Sequence, residues 1–151
     1  VPRSVLVVVY SADLQVLLLE RADKPGYWQS VTGAKDHARE PWRRCAEREL
    51  AEETGLRVGR DLPAAALDDW QLFNRYPIYP EWRHRYAAGV THNLERVFGL
   101  RLPAPCPVLL APREHVAQCW LPWREAADRC GSASNAEAIL QLPRRLAGAG
   151  G

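Results

Sequence analysis

The opening of the chain places the tightest constraint on its fold. Ser4–Tyr10 (SVLVVVY) and Gln15–Glu20 (QVLLLE) are β-branched or Leu-rich runs, with Ser11-Ala12-Asp13 between them. Runs of this length and composition are strand signals, and the short interruption makes them a hairpin. The longest uninterrupted apolar stretch there, Val5–Val9, is far short of a secretory hydrophobic region or a membrane span. No membrane partner and a cytoplasmic location are therefore expected.

The rest of the chain alternates in the same economical way. Ala22–Tyr27 is a turn by its Pro-Gly pair. Trp28–Thr32 is expected as one short strand ending at Gly33, followed by charged residues to Glu40. Pro41 suits the first turn of a helix, Trp42–Thr54 carries helix formers, and Gly55 sits where a C-terminal cap belongs. Asp68–Tyr76, Leu94–Leu102 and Gln118–Leu121 read as further strands, with an aromatic and basic stretch, Pro77–Asn93, between the first two. Ser134–Leu146 reads as a closing helix capped by Ser134 or Asn135, and Gly148–Gly151 as a frayed tail. The order β-β-β-α-β-β-β-α implies an α/β or α+β sandwich around one mixed sheet. At 151 residues, one domain spanning 1–151 is expected.

Composition narrows the partners. A net charge of +2 is too mild to drive nucleic-acid binding, so none is expected, even though Trp82-Arg83-His84-Arg85-Tyr86 mixes bases and aromatics. Eighteen of the 20 basic residues are Arg, which suits phosphate contacts but also follows from a GC-rich genome. The four cysteines form no CxxC pair and no zinc spacing with His, so reduced thiols are expected. Composition does not address the oligomeric state.

The segment richest in chemistry is Arg48-Glu49-Leu50-Ala51-Glu52-Glu53-Thr54-Gly55-Leu56. On a helix Glu49 and Glu53 stand four apart and Glu52 three from Glu49, so all three project from nearly one face. Residues alone leave two readings open. One is a solvated acidic face paired with nearby Arg. The other is a hard divalent cation, Mg²⁺ or Mn²⁺, neutralising carboxylates that would otherwise repel.

Context favours the second. A glycine turn at Gly33, an acid at Glu40, then Arg-Glu-x-x-Glu-Glu and a closing glycine resemble the box of the Nudix family, G-x5-E-x7-R-E-U-x-E-E-x-G-U with U aliphatic. Glu40 to Leu56 fits without a gap; between Gly33 and Glu40 six residues intervene instead of five. The resemblance implies an α/β/α sandwich whose loop–helix–loop box covers about 33–56. It also implies Mg²⁺-dependent hydrolysis of a small-molecule di- or triphosphate. Glu49 and Glu53 would be the principal metal ligands with Glu52 beside them, and Arg48 would pair with Glu40.

Beyond the box, Tyr27–Gly33, Trp82–Asn93 and Arg113-Glu114-His115 resemble the group within that family that cleaves dihydroneopterin triphosphate to the monophosphate and pyrophosphate. The departures are Ala88, where that group carries proline, and the basic segment before the position of Pro2, which this sequence does not contain. By position the resemblance puts a further acidic metal ligand at Glu114. It puts substrate contacts at Arg21, Thr32, the Tyr76-Pro77-Ile78-Tyr79 run and Ser132, with Tyr76 and Tyr79 as walls of a ring pocket. Other (d)NTPs, oxidised nucleotides and dinucleoside polyphosphates are alternative substrates. A non-catalytic nucleotide sensor is disfavoured, because all three box glutamates are present.

Overall fold

The computed structural model describes Pro2–Ala149. The strands are β1 (Arg3–Ser11), β2 (Gln15–Arg21), β3 (Trp28–Gln29), β4 (Val31–Ala34), β5 (Leu67–Pro77), β6 (His92–Leu102) and β7 (His115–Pro122). The helices are α1 (Trp42–Thr54), α2 (Trp123–Arg129), α3 (Ala133–Leu140) and α4 (Leu142–Ala149), with short 3-10 turns at Ala64–Ala66 and Pro80–Arg85.

All seven strands form one mixed sheet. β1 runs parallel to β6 along its whole length, so β2 and β4 share its other edge, each antiparallel to it. β7 extends the sheet beyond β2, and β5 pairs with β6. Because strand side chains alternate, Val5, Val7 and Val9 enter one core with Cys45, Ala46 and Leu50 of α1. Leu6, Val8 and Tyr10 enter a second core with Ala126, Ala138, Ile139 and Leu142 of the later helices. The unbroken apolar run of β1 is thus the signature of a strand covered on both faces.

Helix α1 has the expected bounds, and Gly55 closes it in the left-handed region at φ 76°, its N–H donating to Ala51 O. Pro41 is the extended residue just before the first turn. Three expectations need correction. Trp28–Thr32 is broken at Ser30, because the buried Asn135 carboxamide takes the Ser30 N–H at 2.8 Å and donates to the Ser30 hydroxyl at 2.9 Å. The closing helix starts at Ala133, capped by the Ser132 hydroxyl accepting from Asn135 N, and divides at Gln141. Pro143 has no N–H to continue the ladder, which accounts for the division. Finally, α2 was not expected, although Pro122 precedes it and Glu125 and Arg129 suit its two ends. The glycine-rich end continues as helix to Ala149, while Val1, Gly150 and Gly151 lie outside the described residues. All four cysteines are free. Among the described residues no helix is long and apolar enough to cross a membrane.

Candidate active site

Arg48 organises the box. It donates from Nε and Nη2 to Glu40 at 2.9 and 3.0 Å, from Nη2 to Ala34 O, and from Nη1 to Glu49 at 2.8 Å. Its Nη1 also lies 3.3 Å from Glu52. These contacts tie the loop after β4 to α1, and they hold the buried Glu40 carboxyl down at about 2. Arg48 therefore offsets part of the charge on Glu49 and Glu52, as the reading of an acidic face paired with a nearby Arg allowed. Glu52 is exposed and faces outward.

The remaining like-charge cost falls on Glu53. Its side chain is 1% exposed, and neither carboxylate oxygen has a hydrogen-bond partner. Burial, with Glu49 and Glu114 adding repulsion, pushes its carboxyl well above the ordinary range. An unpaired buried carboxylate costs several kcal/mol, roughly, unless a cation meets it.

Donor atoms of Glu53, Glu114 and His115 lie within 4.8 Å of one another. The β7 start delivers the last two: a turn carries Glu114 N to Ala111 O, and Ala22 N donates to Glu114 O. The carboxylate of Glu49 lies against Gly33, where an added Cβ would stand 2.0 Å from its Cδ. Gly33 is thus required for close approach rather than for an unusual φ. Carboxylate oxygens with one imidazole are a donor set suited to Mg²⁺ or Mn²⁺, so the residues present fit a divalent cation.

His115 is the member that sequence reasoning missed, though Arg113-Glu114-His115 had been singled out. Gln29 Nε2 lies 3.3 Å from His115 Nε2, and Arg21 Nη1 donates to Gln29 Oε1 at 3.4 Å. An amide nitrogen can only donate, so the ring nitrogen accepts and the proton sits on Nδ1. Burial, with Arg21 nearby, lowers the imidazole to about 4, so it is neutral near pH 7. Its 3.6 Å approach to Glu53 is therefore not an ion pair.

The expected substrate contacts divide into two groups. Arg21 is held by Asp23 at 2.7 and 2.8 Å and stacks on Trp82, 4.5 Å from the ring centroid. Tyr79 packs edge-on with Tyr27 and Trp82, and its hydroxyl donates to Gly131 O. Tyr76 instead donates to Glu95 at 3.4 Å and accepts from Asn93 at 3.1 Å. Thr32 donates to Val5 O, Pro77 pairs with His92, Ile78 is buried, and Ser132 caps α3.

A mixed sheet between helical layers, with an Arg-locked helix presenting buried glutamates, has the build of a domain that holds a divalent cation on one helix. The chain matches the NUDIX domain over residues 1–142 and belongs to the Nudix family of hydrolases. It is 40% identical over 142 residues to the dihydroneopterin triphosphate diphosphatase of Escherichia coli (strain K12), covering 93% of this chain and 91% of that one. A Haemophilus influenzae protein of the same name is 38% identical over 139 residues, covering 91% of this chain and 84% of its own. The solved E. coli dihydroneopterin triphosphate pyrophosphohydrolase superposes with a TM-score of 0.83 at 40% identity, covering 92% of each chain.

Proposed function

We propose that this chain hydrolyses dihydroneopterin triphosphate to dihydroneopterin monophosphate and pyrophosphate, with a divalent cation, Mg²⁺ or Mn²⁺ in its place, as cofactor. The observation that carries the reading is the buried Glu53 carboxylate, unpartnered and within reach of Glu114 and His115. Likeness to the diphosphatases over nearly the whole chain supports the substrate. Glu53, Glu49 and Glu114 would hold the cation, with Glu52 on the exposed side of the same helix, and His115 would join them only if its Nε2 exchanged the Gln29 N–H for the ion. When bound, such an ion offsets phosphate charge and lowers the pKa of water.

The chain's own residues do the rest. Arg48 and Glu40 fix the loop against α1, Gly33 admits the Glu49 carboxylate, and Gln29 orients the His115 ring by donating to its Nε2. Arg21 lies beside this group and suits the phosphates, while Thr32, the Tyr76–Tyr79 run and Ser132 take the ring and its side chain. The test is a substrate panel with Mg²⁺ and product identification. Dihydroneopterin triphosphate should exceed ATP or GTP in kcat/KM by about a hundredfold, the scale of a well-paired ring edge. Pyrophosphate should accompany it, and EDTA should abolish turnover. Equal rates on the pterin and all common nucleotides would favour a general triphosphate hydrolase; orthophosphate as the sole primary product would overturn the reading.

A further inference from the structure

On the sheet face opposite α1 lies a second polar group that the phosphate chemistry does not use. Register places Ser4 beside Glu95, and both Val97 and Thr32 beside Leu6, so Ser4, Thr32 and Glu95 project toward the later helices. Across the β5–β6 pair, Tyr76 stands opposite Asn93 and Asn74 opposite Glu95. Glu95 is 3% exposed, yet its neighbours Asn74, Tyr76 and Ser134 are only half-buried. It thus forms the floor of a partly open polar patch.

Glu95 has no cationic partner among the described residues. Its oxygens accept long contacts from Asn74 Nδ2 at 3.5 Å and the Tyr76 hydroxyl at 3.4 Å, with the Ser134 hydroxyl as a third neutral donor beside them. The better donor nearby is spent elsewhere: Asn93 Nδ2 donates to Ser4 at 2.6 Å and to Tyr76 at 3.1 Å. A carboxylate offers about four acceptor sites, so this one retains unused capacity in a buried place where leaving it unused is costly. One of the expected substrate contacts, Tyr76, belongs to the same patch; Thr32 lies two strands away on the same sheet face, and Ser132 two residues before Ser134.

We propose that Glu95 is the specificity-determining residue for the ring, accepting two parallel hydrogen bonds from the ring N–H and exocyclic amine of a 2-amino-4-oxo pyrimidine edge. The proposal rests on the pterin reading given above and names the side chain that would carry it. Adjacent N–H and NH₂ donors match the spacing of two carboxylate oxygens, as a guanidinium does. Adenine lacks this edge, since its ring nitrogen there accepts rather than donates. Burial pushes the Glu95 carboxyl up to about 7, with Asn74, Ser134 and Tyr76 drawing it back. Two further donors from a ligand would act in the same direction as those three.

Guanine carries the same edge as the pterin, and hypoxanthine differs from guanine only by the missing amine. The experiment compares dihydroneopterin triphosphate, GTP, ITP and ATP on the unmodified enzyme and on Glu95→Gln, as kcat/KM or as inhibition constants where turnover is slow. The unmodified enzyme should prefer GTP to ITP by about tenfold or more, because ITP leaves one buried oxygen unpaired. In Glu95→Gln a donor replaces an acceptor, so that preference should shrink to about twofold, while discrimination against ATP should also fall because the new amide can donate to the adenine ring nitrogen. Equal handling of GTP and ITP by the unmodified enzyme overturns the proposal without any variant. A uniform loss on ATP, GTP and ITP in a folded Glu95→Gln protein also overturns it, since that is the signature of a purely structural role. A GTP preference over ITP with no turnover of the pterin would support the edge reading and overturn the proposed substrate instead.

Discussion

Two buried glutamates, Glu53 on α1 and Glu95 on β6, sit in opposite company. Glu53 is 1% exposed and meets two more carboxylates, with both oxygens unpartnered. Glu95 is 3% exposed and meets only neutral donors: an amide, a phenol and a hydroxyl. Burial raises the pKa of both, but the surroundings differ in what they lack. The first environment lacks positive charge, so it suits a cation. The second lacks nothing in charge but has acceptor capacity to spare, so it suits a neutral ligand rich in N–H donors. Glu40 supplies the control, a buried glutamate whose cationic partner is built in.

The largest expected effect comes from Glu53→Gln. The substitution keeps shape but removes the charge that a cation would meet, so kcat should fall by a hundredfold to a thousandfold, roughly the range for a lost electrostatic contribution. Steady-state assays across a Mg²⁺ series would measure it. Normal turnover by this variant in EDTA would erase the distinction between the two glutamates.

Glu40→Gln tests the control. Arg48 holds the Glu40 carboxyl at about 2, below the ordinary value of 4.5. A depressed pKa means the stabilisation is complete above about 4.5 and is lost as pH falls through about 2. The variant should therefore lose about 3 kcal/mol at neutral pH, the scale of a broken buried pair, with the difference closing in acid. Urea unfolding between acid and neutral pH would follow it.

How much of this contrast was legible beforehand depended on sequence distance. The α1 bounds, the Glu49–Glu53 spacing and the Arg48–Glu40 pair lie within one local segment, where helical periodicity decides what shares a face. The sequence left undecided whether Arg48 also meets Glu49 and Glu52, because adjacent and i,i+4 contacts depend on the rotamer it takes around Glu40. His115 and Gln29 meet through the pairing of β2 with β3 and β7, which local patterning does not report. The break at Ser30 depends on Asn135, which approaches from α3. Glu95 drew no notice because one buried acid in an apolar strand has no local signature; only the face it shares with Ser4, Tyr76 and Ser134 gives it meaning.

Gly33→Ala sharpens the first half of the contrast without altering any charge. The new Cβ would stand 2.0 Å from the Glu49 Cδ, so the carboxylate must move, but it is the far end of a flexible side chain. The fold should hold within about 1 kcal/mol, as for surface changes. Activity should fall by roughly tenfold to a hundredfold, the scale of an ångström's misplacement of a reacting group. Comparing melting temperature with kcat separates the two outcomes, and a loss of both in proportion would make Gly33 a folding residue only.

The smallest effect expected concerns the stability of Glu95→Gln, and its sign opposes that of Glu40→Gln. A folded-state pKa of about 7 against an ordinary value near 4.5 means that the native protein binds the extra proton across that interval. Stability of the unmodified protein should therefore decline as pH rises from about 4.5 to 7, the burial penalty being complete above it. Glutamine carries no charge and escapes the penalty, but it surrenders one acceptor to Asn74 or Tyr76. Because one lost hydrogen bond offsets about 1 kcal/mol, the net gain at pH 8 should be about 1–2 kcal/mol, shrinking toward zero near pH 5. Urea midpoints at those two pH values decide it. A variant less stable than the parent at pH 8 would mean that Glu95 has a stronger partner than the neutral donors around it, and the contrast with Glu53 would then fail on its second side.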